Sequence, residues 1–169
     1  MKVAVTDACI FIDIIELKLA SQFFNLPIEL HTTIDVYNEL YPEQQELLKA
    51  YQSGGKLFLY NISEDERKEI LEEGFPRALS DNDKTVLFLA AKIDAFVLSS
   101  DKAVRNYARK KVIEYHGLLW IFDQLIAEKH LQPYEAAAKL KELMGKNIIY
   151  QYNNTLAAEI EKRLKQWMS

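Results

Sequence analysis

The chain begins with a short β-branched run, KVAVT at residues 2–6, followed at once by ACIFIDIIEL, whose apolar stripe suits a helix better than a strand. Strand, tight turn and helix is the predicted opening. IELHTT at 28–33 predicts a second strand. Thr32, with Asp35 three residues on, has the spacing of a capping box and predicts the start of the helix that carries Glu39. Pro42 ends or kinks that helix, and a further helical stretch runs to Ser53 before the Gly54-Gly55 break. KLFLYNI predicts a third strand, and the charged ISEDERKEILEEGF a mostly solvated helix closed near Gly74 and Pro76. After Ser80, the segment DNDKTVLFLAAKI puts Val86, Leu87, Leu89, Ala90, Ala91 and Ile93 on a face suited to a core. AFVLSS at 95–100 predicts a strand, DKAVRNYARKK a helix, and VIEY a last short strand.

Strands that alternate with helices need crossover connections, and these build a largely parallel sheet covered on both faces. The predicted fold is a three-layer α/β/α sandwich. From Gly117 onward the pattern turns helical: LLWIFDQLIAEKH, then PYEAAAKLKELMG with Pro133 at its start, then about Thr155 to Met168. With no repeat, low-complexity tract or linker, residues 1–169 are expected to form a single domain, with 117–169 a helical extension packed on it. At 169 residues and 49% hydrophobic, the chain has enough apolar material for one sizeable core.

The net charge of -4 argues against a protein that holds nucleic acid by bulk positive charge, since backbone binding depends on Lys and Arg replacing counterions. It leaves a nuclease open, because carboxylates gathered around cations also make a chain acidic. His31, His116 and His130 stand far apart, with no Cys or second His at ligand spacing, so a zinc site is not indicated. The only cysteine, Cys9, lies in an apolar run and reads as a small buried hydrophobe, which leaves no internal disulfide. No apolar run approaches the roughly twenty residues that span a bilayer, and no secretory leader is evident. A cytoplasmic protein without membrane contact is the expectation.

Four carboxylates fall where such a sheet places its ligands. Asp7 follows the first strand, Glu39 lies on the helix after the second, Asp83 opens a core-facing helix, and Asp101 follows AFVLSS. Open parallel sheets bind ligands outside the carboxyl ends of their strands, where strand order reverses. If the four converge there, each pair about 4 Å apart repels by roughly 4 kcal/mol at an effective dielectric near 20. Either protons or a hard divalent cation must relieve that repulsion. Such a cation activates water and neutralises phosphate charge, which points to phosphodiester hydrolysis. Each acid taken singly also has a structural use: Asp101 as a helix N-cap, Asp83 as the partner of Ser80 in a capping box, Asp7 as a turn former, Glu39 as an exposed helix residue.

VAVTDACIFIDIIEL, TTIDVYNEL, LSDNDKTVLFLAA and FVLSSDKAVRNYA together, in this order over about residues 2–115, resemble the PIN-domain family, especially the VapC-like toxin ribonucleases. The resemblance implies that Asp7, Glu39, Asp83 and Asp101 are catalytic and hold Mg²⁺ or Mn²⁺. Asp83 matches in preference to Asp81, because three residues separate it from the Leu-x-Leu-Ala run. An endoribonuclease acting on an RNA substrate is implied, with an antitoxin protein as partner. The tail beyond Gly117 is longer than a minimal toxin's and looks more like a longer PIN subgroup.

Lys102, Arg105, Arg109, Lys110 and Lys111 form one basic stretch, read either as a solvated face or, through Arg105 and Lys110, as a contact to the RNA backbone. Tyr107, Tyr115 and Trp120 read as core. A haloacid-dehalogenase-like phosphatase would want a second Asp where Cys9 stands, and a receiver domain lacks its acidic pair and Lys. The main rival is a degenerate PIN domain that serves as an RNA-binding or protein-interaction scaffold. The apolar first helix and the helical tail are candidate surfaces for a homodimer.

Overall fold

The computed structural model describes residues 1–146, 150 and 153–169. The chain divides into two compact units, one of residues 1–12 and 27–118, the other of residues 13–26 and 119–169.

The first unit contains the sheet. Its strands are β1 (Lys2–Thr6), β2 (Ile28–Thr33), β3 (Leu57–Tyr60), β4 (Phe96–Leu98) and β5 (Tyr115–His116). They lie in the order β3-β2-β1-β4-β5 and every neighbouring pair is parallel, as the alternating pattern predicts. β1 is central, with Ala4, Val5 and Thr6 sealed from solvent, so consecutive residues are buried and the burial does not alternate along the strand. The connections leave β1 towards one edge and β4 towards the other. The switch in strand order therefore lies between β1 and β4.

The helices of this unit are the start of α1 (Ala8–Glu16), α3 (Ile34–Glu39), α4 (Pro42–Ser53), α5 (Glu64–Glu72), α6 (Asp81–Ile93) and α7 (Lys102–Lys110). Pro42 acts as predicted, occupying the first turn of α4 after α3 has ended at an extended Leu40. α6 packs on β1, β2 and β4 through Val86, Leu87, Leu89 and Ala90, all buried. Ala91, expected on the same face, is exposed, and Ile93 is only half-buried, because the helix rotates them away in its last turn. Asp94 then adopts the left-handed conformation (φ 55°, ψ 48°) that closes α6 and turns the chain into β4.

The start of α3 corrects the sequence expectation by one residue. Thr33, not Thr32, is the N-cap, accepting from the Val36 amide at 3.2 Å. Asp35 plays no capping part; it forms a two-pronged ion pair with Arg67 of α5 at 3.0 and 3.1 Å. The last strand is also displaced, from VIEY to Tyr115–His116, because Val112 takes up a left-handed conformation just after α7.

Glu66 shows how α5 is held to α6. Its Oε1 accepts from the Ser63 amide at 2.9 Å, and its Oε2 from the Tyr60 hydroxyl at 2.7 Å and from Lys92 of α6 at 3.0 Å. The Ser63 backbone bond, joined by those of Tyr60 and Lys92, outweighs the cost of burial and holds its carboxyl down at about 2. The depressed value makes its stabilisation fully present above about pH 4.5 and lost as pH falls towards 2. Replacing Glu66 with Ala is expected to cost about 1.5–3 kcal/mol in urea unfolding at pH 7, the range for hydrogen bonds to a charged group. The deficit should shrink at pH 3.

The second unit is helical, comprising the remainder of α1, α2 (Ala20–Phe24), α8 (Leu118–Ala127) from Leu119 onward, α9 (Pro133–Lys146) and α10 (Asn154–Met168). Phe122 of α8 packs against Trp167 of α10 with ring centroids 5.9 Å apart. Arg163 of α10 bonds Asp123 of α8 at 2.8 Å and Glu159 on its own helix at 3.0 Å. Among the described residues no helix is long and apolar enough to cross a membrane.

Candidate active site

Asp7 is placed by the end of β1. Its amide donates to the Leu98 carbonyl of β4 at 3.1 Å, which continues the β1–β4 pairing one residue past the strand. Its Oδ1 accepts from the Ile10 amide at 3.0 Å and so starts α1, while its Oδ2 accepts from the Ser99 hydroxyl. The Ser99 oxygen in turn accepts from the Asp101 amide at 3.0 Å, and Asp101 Oδ1 accepts from the Val104 amide at 3.1 Å, capping α7. A continuous set of hydrogen bonds thus joins the first and last predicted acids across the switch point. Asp101 is the N-cap that the sequence offered as its simplest role, and it stands beside Asp7 as well.

Only 1% of Asp7 is exposed to solvent. Burial is the main reason its carboxyl is pushed up to about 7; the Ser99 and Ile10 hydrogen bonds pull it down, and the charges of Asp83 and Asp101 push it up further. Asp83, in the first turn of α6, donates its amide to Ser80 Oγ at 3.1 Å. Its carboxyl is also raised, by burial first; hydrogen bonding to Ser80 opposes this, while the charges of Asp101 and Glu39 add to it. Glu39 is the last residue of α3 and is exposed. Asp7, Asp83 and Asp101 are therefore within electrostatic reach of one another at one end of the sheet, and Glu39 is within reach of Asp83.

As the side chains stand, no group of three or more His, Cys, Asp or Glu among the described residues is gathered tightly enough to hold an ion. The donors nevertheless fit a divalent cation of the magnesium type. They are all carboxylate oxygens, and Mg²⁺ retains several waters while resting on one or two carboxylates. A buried acid whose charge is costly in the free protein is what a bound cation relieves.

The two predicted RNA contacts differ in position. Arg105 lies one turn into α7 from Asp101, half-buried, with its guanidinium 5.3 Å from the Tyr115 ring centre. Lys110 is exposed at the far end of α7, about 13 Å along the axis from Asp101 at roughly 1.5 Å per residue. The structure does not bring Lys110 to the acids. Tyr115, expected in the core, is half-buried instead and carries both Arg105 and Arg109, whose Nε donates to its hydroxyl at 3.0 Å. Trp120 is likewise half-buried, whereas Tyr107 is buried as expected. Cys9, read as buried, is exposed.

Sequence reasoning passed over Ser99. Its signal was a pair of small hydroxyl residues, Ser99-Ser100, at the end of a strand next to an acid. It also passed over Thr33 and Thr85, whose hydroxyls are buried and 2.8 Å apart.

An all-parallel α/β domain with mutually coupled carboxylates at its switch point is the class that fold and site define. A sequence model of the PIN domain matches residues 3–166, and the chain belongs to that family. PIN domains are generally nucleases that use divalent metal ions. Among solved structures, the chain is similar to VapBC2 from Rickettsia felis bound to a DNA fragment from their promoter. The identity is 12%, over 68% of this chain and 98% of that one, with a TM-score of 0.41. No curated protein sequence matches the chain.

Proposed function

We propose that this protein is a Mg²⁺- or Mn²⁺-dependent endoribonuclease that hydrolyses RNA phosphodiester bonds at the carboxylate cluster of Asp7, Glu39, Asp83 and Asp101. The observation that carries this reading is the burial of Asp7 beside Asp83 and Asp101, a charge arrangement that either a proton or a bound cation must relieve. Membership of a family of metal-dependent nucleases supports it.

When bound, a divalent ion supplies an activated water and neutralises charge on the phosphate. The chain's own residues do the rest. Ser99 and the Ile10 amide hold the Asp7 carboxylate in one orientation, and the capped starts of α6 and α7 do the same for Asp83 and Asp101. Glu39, exposed at the end of α3, faces solvent where a polyanionic substrate approaches. The reading is tested by incubating purified protein with mixed RNAs in Mg²⁺ or Mn²⁺, with and without chelator. Cleavage that requires the ion supports it, and cleavage that persists in chelator refutes it.

Arg105 and Lys110 are assigned to the RNA backbone. Lys110 is exposed at the end of α7, and Arg105 is half-buried with its guanidinium over the Tyr115 ring one turn from Asp101. Arg105→Ala and Lys110→Ala are each expected to weaken RNA binding and to flatten its salt dependence by about 0.7 per lost phosphate contact on single-stranded RNA. Fluorescence titrations across a salt series measure this; an unchanged slope removes the residue from the interface.

The loose spacing of the acids favours one alternative, a scaffold that binds RNA without cutting it. RNA binding with no cleavage under any divalent ion would select it. By its resemblance to VapC-like toxins, the protein is also assigned an antitoxin partner; a cytoplasmic location and a homodimer paired through the apolar first helix and the helical tail complete the reading. A small adjacent reading frame whose product co-purifies with the chain would support the toxin assignment.

A further inference from the structure

Two buried threonines join the helix that carries Glu39 to the helix that carries Asp83. Thr33 ends β2 and caps α3, and Thr85 lies in the first turns of α6; neither is exposed by more than 3%. Their hydroxyl oxygens are 2.8 Å apart. Thr33 Oγ1 also accepts from the Val36 amide at 3.2 Å, and Thr85 Oγ1 donates to the Asn82 carbonyl at 2.6 Å.

Each hydroxyl has one proton, which fixes the direction of the whole chain. The proton of Thr85 is used on Asn82, so the proton between the two threonines must come from Thr33. Thr33 still has a lone pair for Val36. The relay therefore runs in one sense only: Val36 amide to Thr33, Thr33 to Thr85, Thr85 to the Asn82 carbonyl. It begins in the first turn of α3, which ends at Glu39, and it terminates on the peptide immediately preceding Asp83. The neighbouring Thr32 has a comparable role, donating at 2.7 Å to the Thr6 carbonyl, which immediately precedes Asp7.

We propose that the Thr33–Thr85 hydroxyl pair is a positioning device for the acid cluster: it sets the spacing between Glu39 and Asp83 and thereby the cluster's affinity for a divalent cation. The inference rests on the metal reading given above. Neither threonine touches the cation; both act through the helices they clamp. A slip of α3 along α6 would move Glu39 relative to Asp83 while leaving the rest of the sheet in register; groups bonded directly to metal ligands typically change metal affinity by about 10- to 100-fold when removed, which sets the scale for a clamp acting through the helices.

Valine matches threonine in shape and cannot take part in the relay, whereas serine can. The test is Mn²⁺ binding to full-length protein by isothermal titration calorimetry, for wild type, Thr33→Val, Thr85→Val, Thr85→Ser and the double valine variant, with RNA affinity in chelator measured alongside. Either single valine should weaken Mn²⁺ binding by about 10- to 100-fold while metal-free RNA affinity stays unchanged. The double variant should be no worse than the singles, because one relay cannot be broken twice. Thr85→Ser should bind Mn²⁺ much as wild type does, since it keeps the hydroxyl that the relay needs. Should Thr85→Val fail to fold, Thr85→Ala against Thr85→Ser gives the same comparison, and Mn²⁺ affinity must follow the hydroxyl. Valine variants that bind Mn²⁺ as wild type does would overturn the relay alone. A wild-type protein that binds no Mn²⁺ would overturn both the relay and the metal reading.

Discussion

Asp7→Asn is expected to lower metal-dependent RNA cleavage by about 10²- to 10⁴-fold, the equivalent of several kcal/mol of charge stabilisation at the reacting phosphate. The same substitution should stabilise the metal-free protein at alkaline pH. With its carboxyl raised from 3.8 to about 7, folded Asp7 holds its proton more tightly than the unfolded chain does. Its contribution to stability is then fully present below about pH 3.8 and lost as pH rises through 7. At pH 8 the charged form costs up to roughly 4 kcal/mol, at about 1.4 kcal/mol per pH unit, and Asn never carries that charge. Asn retains an oxygen for the Ile10 amide and an amide group that Ser99 Oγ is able to accept from. Thermal melts in chelator between pH 5 and 8.5 should therefore show wild type losing stability with pH and Asp7→Asn losing much less. Reduced cleavage together with a raised melting temperature distinguishes a site acid from a structural one, whose loss would lower both. Parallel pH profiles for the two proteins would contradict the assignment.

Divalent cations should stabilise wild type far more than Asp83→Asn. A ligand that binds only the folded state at a hundred times its dissociation constant contributes about 2.7 kcal/mol. For a chain of this size that corresponds to a rise in melting temperature of about 5–10 °C. Asp83 is expected to contribute to this response because it senses both Asp101 and Glu39 and so links α3 to the strand-end pair. Its amide analogue should keep the Ser80 cap at the start of α6, so the fold survives while the response to the cation falls. Differential scanning fluorimetry with Mg²⁺, Mn²⁺ and chelator reads the difference. Equal shifts in the two proteins would place the binding of the cation elsewhere.

Much of this site was legible in the sequence because parallel α/β architecture ties position in the chain to position in space. Once β1, β2 and β4 were read from KVAVT, IELHTT and AFVLSS, Asp7 and Asp101 had to emerge at the same end of the sheet. What sequence reasoning could not reach depends on where single side chains point. Capping boxes look alike at Thr32 and Thr33 until the register of α3 is known, and Asp35 was free to pair with Arg67 on an element 32 residues away. Ser99 is one of several hydroxyl residues near the cluster, and only the close packing of β4 against β1 singles it out as the partner of Asp7. Tyr115 was misplaced for a related reason: β5 is an edge strand of two residues, and such a short edge leaves an aromatic ring partly exposed, where arginines stack on it.

The most direct test of the account is a crystal of the protein soaked in Mn²⁺, with diffraction collected for anomalous scattering. An anomalous peak within about 2.5 Å of carboxylate oxygens from at least two of Asp7, Glu39, Asp83 and Asp101 is the predicted result. Density for manganese only at other carboxylates, with these four side chains unmoved and without a peak between them, would contradict it.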